Sequence, residues 1–280
     1  MSHQRYPEMF RRLEARREGA FIPFVMLGDP DLATSARILV ELAESEADAI
    51  EVGIPFSDPV ADGPVIQAAA VRALAAGTTP AACWTLIRGL RRRRGTLPIG
   101  VLTYTNLALQ RGPEQFYHEA AASGADSVLL ADLGSEEATP FAALARAAGI
   151  ASIMIVPPNA TPERLSRLAN LTEGFSYVTR RSGVTGEDST EAASTAGLIR
   201  DLKRTGAPPA LLGFGIGEPS HVREALALGA AGAISGSALV RRIATAAPDR
   251  LGEVTRTFVA EMKAATRSLG VASSGRGLEN

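Results

Sequence analysis

Short apolar runs alternate with longer amphipathic stretches along almost the whole chain. The short runs fall at 20–27, 49–52, 98–103, 127–131, 151–156, 175–179, 210–212 and 231–235, and most are apolar nearly throughout. That pattern predicts parallel strands buried on both faces rather than strands with one wet side. Between them lie stretches that read as helical, at 32–45, 79–94, 136–148, 162–171 and 191–205. A further helix over 6–18 precedes the first strand, and another over 251–269 closes the chain. Eight strand–helix units predict a (β/α)8 TIM barrel with an extra N-terminal helix and a closing C-terminal helix. An open dinucleotide-binding sheet is the weaker alternative, because no G-x-G-x-x-G turn follows the first strand. No linker composition interrupts the pattern. Residues 1–269 therefore read as one barrel, and 270–280 as a frayed tail of small and polar residues.

Composition narrows the partners. A formal net charge of −1 over 280 residues gives no basic surface for nucleic acid or an anionic membrane. The one basic run, Arg91 to Arg94, ends a helical stretch, where cations complement the helix dipole; it reads as a solvated helix end. Cys83 is the only cysteine, which precludes an internal disulfide, and its helical setting marks it as a small core residue. Residues 1–19 carry no apolar signal-like core, and no run reaches membrane-spanning length, so the expected location is the cytoplasm.

Barrel enzymes build their sites at the C-terminal ends of the strands. There the second strand carries Glu51, a carboxylate in a segment expected to be buried on both faces. Such a charge is costly unless it is paired or functional. The loop that follows contains Asp58 and Asp62 among prolines and a glycine, where Asp is also an ordinary turn former, and spacing does not choose between them. The seventh and eighth strands run into Gly213-Phe-Gly215-Ile-Gly217 and Ser235-Gly-Ser237. Glycines there let backbone approach a ligand, and helix N-termini bind anions, so these loops predict a phosphate site. Residues 180–190 form a long polar loop with two glycines, suited to a lid. The two lysines, Lys203 and Lys263, lie in helices, so no strand end offers a Schiff-base amine. The three histidines are scattered, and no metal site is expected.

These segments together resemble the tryptophan synthase alpha chain family. The resemblance rests on 18–24, 27–30, 181–186, 213–216, 231–238 and, above all, the block Glu51-Val-Gly-Ile-Pro-Phe-Ser-Asp58-Pro-Val-Ala-Asp62-Gly-Pro64. It implies cleavage of indole-3-glycerol phosphate to indole and glyceraldehyde 3-phosphate. Glu51 would be the general acid/base, Asp62 would accept the indole N–H bond, and Tyr177 would order the site. Phe24, Leu102, Leu129, Phe214 and Ile234 would line the indole pocket. Gly186, Gly215, Gly236 and Ser237 would hold the phosphate, with Thr185 meeting Asp62 on lid closure. It also implies a tryptophan synthase beta subunit in an α2β2 assembly. Pyridoxal phosphate would belong to that partner, with no cofactor in this chain, and Pro55, Phe56, Asp58, Asn106 and Gly134 would face it. Gly134 stands where the family usually has proline, and Arg180 where a small polar residue is common. A stand-alone lyase of the same family, a silent, partner-activating subunit and, more distantly, another phosphate-binding barrel such as an isomerase of amino-acid biosynthesis, which would lack the 51–64 block, are the competing readings.

Overall fold

The structure, a computed structural model, describes residues 4–179 and 188–270. Its strands are β1 (Ala20–Met26), β2 (Ile50–Gly53), β3 (Ile99–Thr103), β4 (Ser127–Leu130), β5 (Ala151–Ile153), β6 (Ile155–Val156), β7 (Ser176–Thr179), β8 (Ala210–Gly213) and β9 (Gly232–Ser235). They form one parallel sheet in the order β5-β4-β3-β2-β1-β9-β8-β7-β6. Only Met154 separates β5 from β6. β5 pairs with β4 and β6 with β7, so the two ends of the sheet are halves of one strand and the cylinder closes on it. The strand expected over 151–156 is thus divided, and the Met154 carbonyl accepts from the Tyr177 amide at the changeover. The architecture is the expected TIM barrel.

Side chains alternate across the sheet as parallel strands require. Phe21, Val25, Ile50, Val52, Ile99 and Val101 point outward into the core beneath the helices. Ile22, Ala49, Leu129, Ile153, Phe175 and Leu211 fill the interior. Helix α1 (Arg5–Arg16) adds Tyr6, Met9 and Leu13 to that interior cluster and so closes the N-terminal floor.

The expected helices appear as α2 (Leu32–Glu44), α4 (Pro80–Arg93), α7 (Ala138–Ala147), α8 (Pro162–Leu171), α9 (Asp188–Arg204) and α12 (Leu251–Ala264), the last finishing in a 3-10 turn, Ala265–Gly270. Others were not set out above: α3 (Pro64–Ala75), α5 (Thr105–Arg111), α6 (Pro113–Ser123), α10 (Pro219–Ala227) and α11 (Ser237–Thr245). α3 is rich in alanine, which blurs its amphipathic stripe. Of the expected lid, 180–190, only 188–190 are described, and they open α9; the expected tail, 270–280, lies outside the described residues after Gly270.

The floor is tied by buried ions. Asp126 takes Arg5 at 2.6 Å, the Arg91 guanidinium and the Ile99 amide at 2.8 Å. Asp48 takes Lys263 at 2.9 Å and the Phe21 amide at 2.9 Å. Arg91 also donates to the carbonyls of Arg94, Gly95, Leu97 and Gly124, and Arg94 donates to that of Ala43. The basic run is therefore not simply a solvated helix end. α4 finishes where loop carbonyls converge, and its Arg91, with Arg94 just after it, binds the loops together. Cys83 is buried, with its thiol pushed up to about 12 by desolvation, which suits a core residue and not a nucleophile.

Candidate active site

A pocket opens at the C-terminal end of the barrel, with a cavity volume of about 220 Å³. Its deepest titratable group is Glu51. The pleat turns Ile50 and Val52 outward to the core and Glu51 inward, where the residue is 3 % exposed. Its Oε2 has no hydrogen-bond partner, and burial alone raises its pKa to about 8. At neutral pH the side chain is therefore mainly a neutral acid.

Asp62 also lines the pocket, whereas Asp58 is exposed in the preceding loop and accepts from the Ser57 hydroxyl at 2.5 Å. Burial pushes the Asp62 carboxyl up, and a hydrogen bond from the Tyr104 hydroxyl opposes that shift. The same hydroxyl accepts from the Ala61 amide at 3.2 Å, and the Tyr104 ring stacks on Phe56 at 5.2 Å. Tyr104 thus joins the loop after β2 to the end of β3 and holds Asp62 from two sides.

The far wall comes from the last two strands. Tyr177 leans over Gly213, where a Cβ would fall 2.3 Å from its hydroxyl; only glycine leaves that room. Phe214 and Gly215 follow with φ of +67° and +75°. For Phe214 this left-handed backbone costs about 1 kcal/mol, and such strain gathers at binding sites. The turn sets the Phe214 ring edge-on to Tyr177, centroids 6.1 Å apart. Ser235 donates to the Ile216 carbonyl at 2.5 Å, which links the two glycine loops. Gly236 caps α11 and lies close to Phe24, and Ser237 is the first helical residue. Gly215, Gly236 and Ser237 all border the pocket, so the amide-bearing start of α11 faces it.

Residues 10–267 match the family model described as tryptophan synthase alpha chain. The chain belongs to the tryptophan synthase alpha chain family. It is 52 % identical to the alpha chain of Shewanella amazonensis over 264 residues, covering 94 % of this chain and 99 % of the relative. Identity to the Yersinia pseudotuberculosis alpha chain is 50 % over 268 residues, or 95 % and 100 % of the two chains. Among solved structures, the tryptophan synthase complex of Pyrococcus furiosus matches with a TM-score of 0.78 at 35 % identity, over 88 % of this chain and 98 % of that one. The alpha subunit of Legionella pneumophila matches with a TM-score of 0.84 at 28 % identity, over 94 % and 98 %. As a member of the family the chain is a carbon–carbon lyase of tryptophan biosynthesis that cleaves indole-3-glycerol phosphate.

The pocket gathers most of the residues singled out from the sequence: Glu51, Asp62, Tyr177, Phe24, Leu102, Phe214, Gly215, Ile234, Gly236 and Ser237. Leu129 is not on its wall. It is 1 % exposed and lies in the interior cluster that also holds Tyr177 and Ile234, because β4 directs it to the barrel axis below the cavity. Thr185 and Gly186 lie outside the described residues. Of the expected partner-facing positions, Asp58 and Asn106 are exposed, and Phe56 and Gly134 are half-buried. Pro55 is buried, so it shapes the loop and presents no free surface. The sequence reading missed Tyr104, whose one signal is its place directly after a strand end. It also missed Gly63, Pro64 to Ile66 of α3, Ile216, and Arg241 of α11, which complete the pocket.

Proposed function

We propose that Glu51 and Asp62 divide the cleavage of indole-3-glycerol phosphate between them as acid and counter-charge. The observation that carries this reading is the buried, unpartnered Glu51 carboxyl, held largely protonated by its surroundings. Glu51 donates its proton to indole C3, which makes the ring an iminium and gives the breaking carbon–carbon bond an electron sink. No lysine is needed. Asp62, steadied by Tyr104, accepts the ring N–H bond and stabilises the cation as a carboxylate. Glu51, now a carboxylate, takes the proton from the glycerol hydroxyl as the bond breaks and electrons return to the ring. Indole and an aldehyde leave, and Glu51 is neutral again. Two carboxylates in different environments can share acid and base work in this way.

Phe24, Leu102, Phe214 and Ile234 supply the apolar walls for the indole, Tyr177 orders the site, and the Gly215 and Gly236–Ser237 backbone holds the phosphate. Thr185 and Gly186 belong to the same proposal as lid contacts. Residues 1–269 act as one barrel domain, in the cytoplasm, with no cofactor of this chain's own. Among the described residues no helix is long and apolar enough to cross a membrane, and no cluster of His, Cys, Asp and Glu fits a metal.

The partner is a beta subunit, in an α2β2 assembly of the kind solved as the tryptophan synthase a2b2 complex of Pyrococcus furiosus, and pyridoxal phosphate would belong to that subunit. Val60, 81 % exposed, and Leu109, 55 % exposed, flank Asp58 and Asn106 and offer it an apolar surface. Indole release from indole-3-glycerol phosphate, with and without that subunit, tests the reading. Slow release alone and faster release in the complex is expected. Brisk release alone, with no response to the partner, would replace it with a stand-alone lyase, and no release in either case would overturn both.

A further inference from the structure

We propose that Arg241 is a specificity-determining residue that supplies the counter-charge for the substrate's phosphate. The inference rests on the phosphate reading of the Gly215 and Gly236–Ser237 backbone. The pocket's described lining carries two acidic residues, Glu51, held mainly neutral, and Asp62, against one cation, Arg241. A phosphate monoester brings close to two negative charges to that acidic cavity. Backbone amides and a helix N-terminus carry only partial charge. Arg241 lies four residues after Ser237 on α11, one turn further along the same helical face, and is exposed at the rim of the pocket. Among the described residues no carboxylate pairs with its guanidinium. Its neighbour Arg242 points elsewhere: it reaches Glu261 of α12 at 3.4 Å and covers the Phe258 ring at 4.8 Å. Of two adjacent arginines, one is bound into the fold and one is free at the mouth of the site. A guanidinium there draws a dianion in and orients its phosphate toward the amides.

The test compares two probes in the intact enzyme by equilibrium titration: 3-(indol-3-yl)propyl phosphate and the same chain ending in a hydroxyl. Wild type should bind the phosphate probe more tightly. Arg241→Gln should weaken that binding by about fivefold to tenfold, flatten its salt dependence and leave the hydroxyl probe unaffected. Arg241→Lys should recover most of the loss. In turnover, KM should rise while kcat stays, and the melting temperature should not move. Equal binding of the phosphate probe by wild type and Arg241→Gln would overturn the proposal while leaving the backbone cradle intact. A wild type that does not prefer phosphate at all would overturn the cradle and Arg241 together.

Discussion

The two ends of the barrel treat buried carboxylates in opposite ways. At the floor, Asp126 and Asp48 are almost fully buried, yet each meets a cation and a backbone amide. Burial pushes both carboxyls up, and the guanidinium and ammonium groups push back. At the mouth, Glu51 is as deeply buried, and nothing opposes its desolvation. A paired carboxylate stays charged and holds loops together. An unpaired one keeps its proton, and in the proposed mechanism it gives that proton to the substrate. The contrast separates carboxylates tied into the fold by cations from one whose unpaired burial the proposed chemistry would explain.

The sharpest way to break this contrast is Glu51→Gln, which keeps shape and removes the transferable proton. We expect kcat to fall by at least about a hundredfold with the phosphate probe still bound. Stability should move the other way. The folded-state pKa of about 8 lies above the ordinary 4.5 of the unfolded chain. The folded protein therefore keeps a proton that the unfolded chain releases, and stability is lost as pH rises between those values, by on the order of 3 kcal/mol at pH 7. The amide escapes that loss, so thermal melts should show Glu51→Gln gaining over wild type at pH 8 and not at pH 4.5. Unchanged turnover, or a gain equal at both pH values, would contradict the assignment.

Asp62→Asn comes next. A neutral amide cannot offset a cationic ring, and kcat should drop by about a hundredfold. Asp58→Asn, outside the pocket, should affect partner binding more than cleavage. The reverse ranking in a turnover assay would exchange the two aspartates.

At the floor, Asp126→Asn leaves the Arg91 and Arg5 guanidinium groups without their counter-charge. Denaturant unfolding should show a loss of about 3 kcal/mol, while the folded enzyme keeps its kcat. A large fall in kcat at full stability would mean the floor and the mouth are not separate in function.

The smallest expected effect is at the partner surface. Gly134 has no positive φ, a Cβ there meets only the ends of the flexible Glu137 and Glu136 side chains, and its amide makes no backbone bond in the turn. Proline should fit and lower the entropy of the free loop by about 0.4–1 kcal/mol. Titration with a beta subunit should show Gly134→Pro binding about twofold to fivefold more tightly. Weaker binding would show that the loop must bend to dock.

Much of the fold was legible because its cause is local. Runs that are apolar on both faces predicted every barrel strand, and the same pattern made Glu51 conspicuous as a charge where the pleat allows none. Glycines after β8 and β9 marked the loops proposed to hold phosphate by the conformations they permit. The division of β5 from β6 was not legible, since it depends on which neighbour each half pairs with. α3 escaped because alanine marks no clear face.

The sequence by itself determined the barrel, the family, the glycine turns and the candidate carboxylates, because each rests on a periodicity or a run of adjacent residues. Only the tertiary structure decided which carboxylates have partners. Asp126 meets Arg5 across 121 positions, and Asp62 meets Tyr104 from the next strand. Those pairings arise when the closed sheet brings strand ends together, as does the pocket that collects Arg241 and excludes Leu129. Charge, burial and hydrogen bonding at a site are sums over neighbours in space, and a linear chain states its neighbours only along its length.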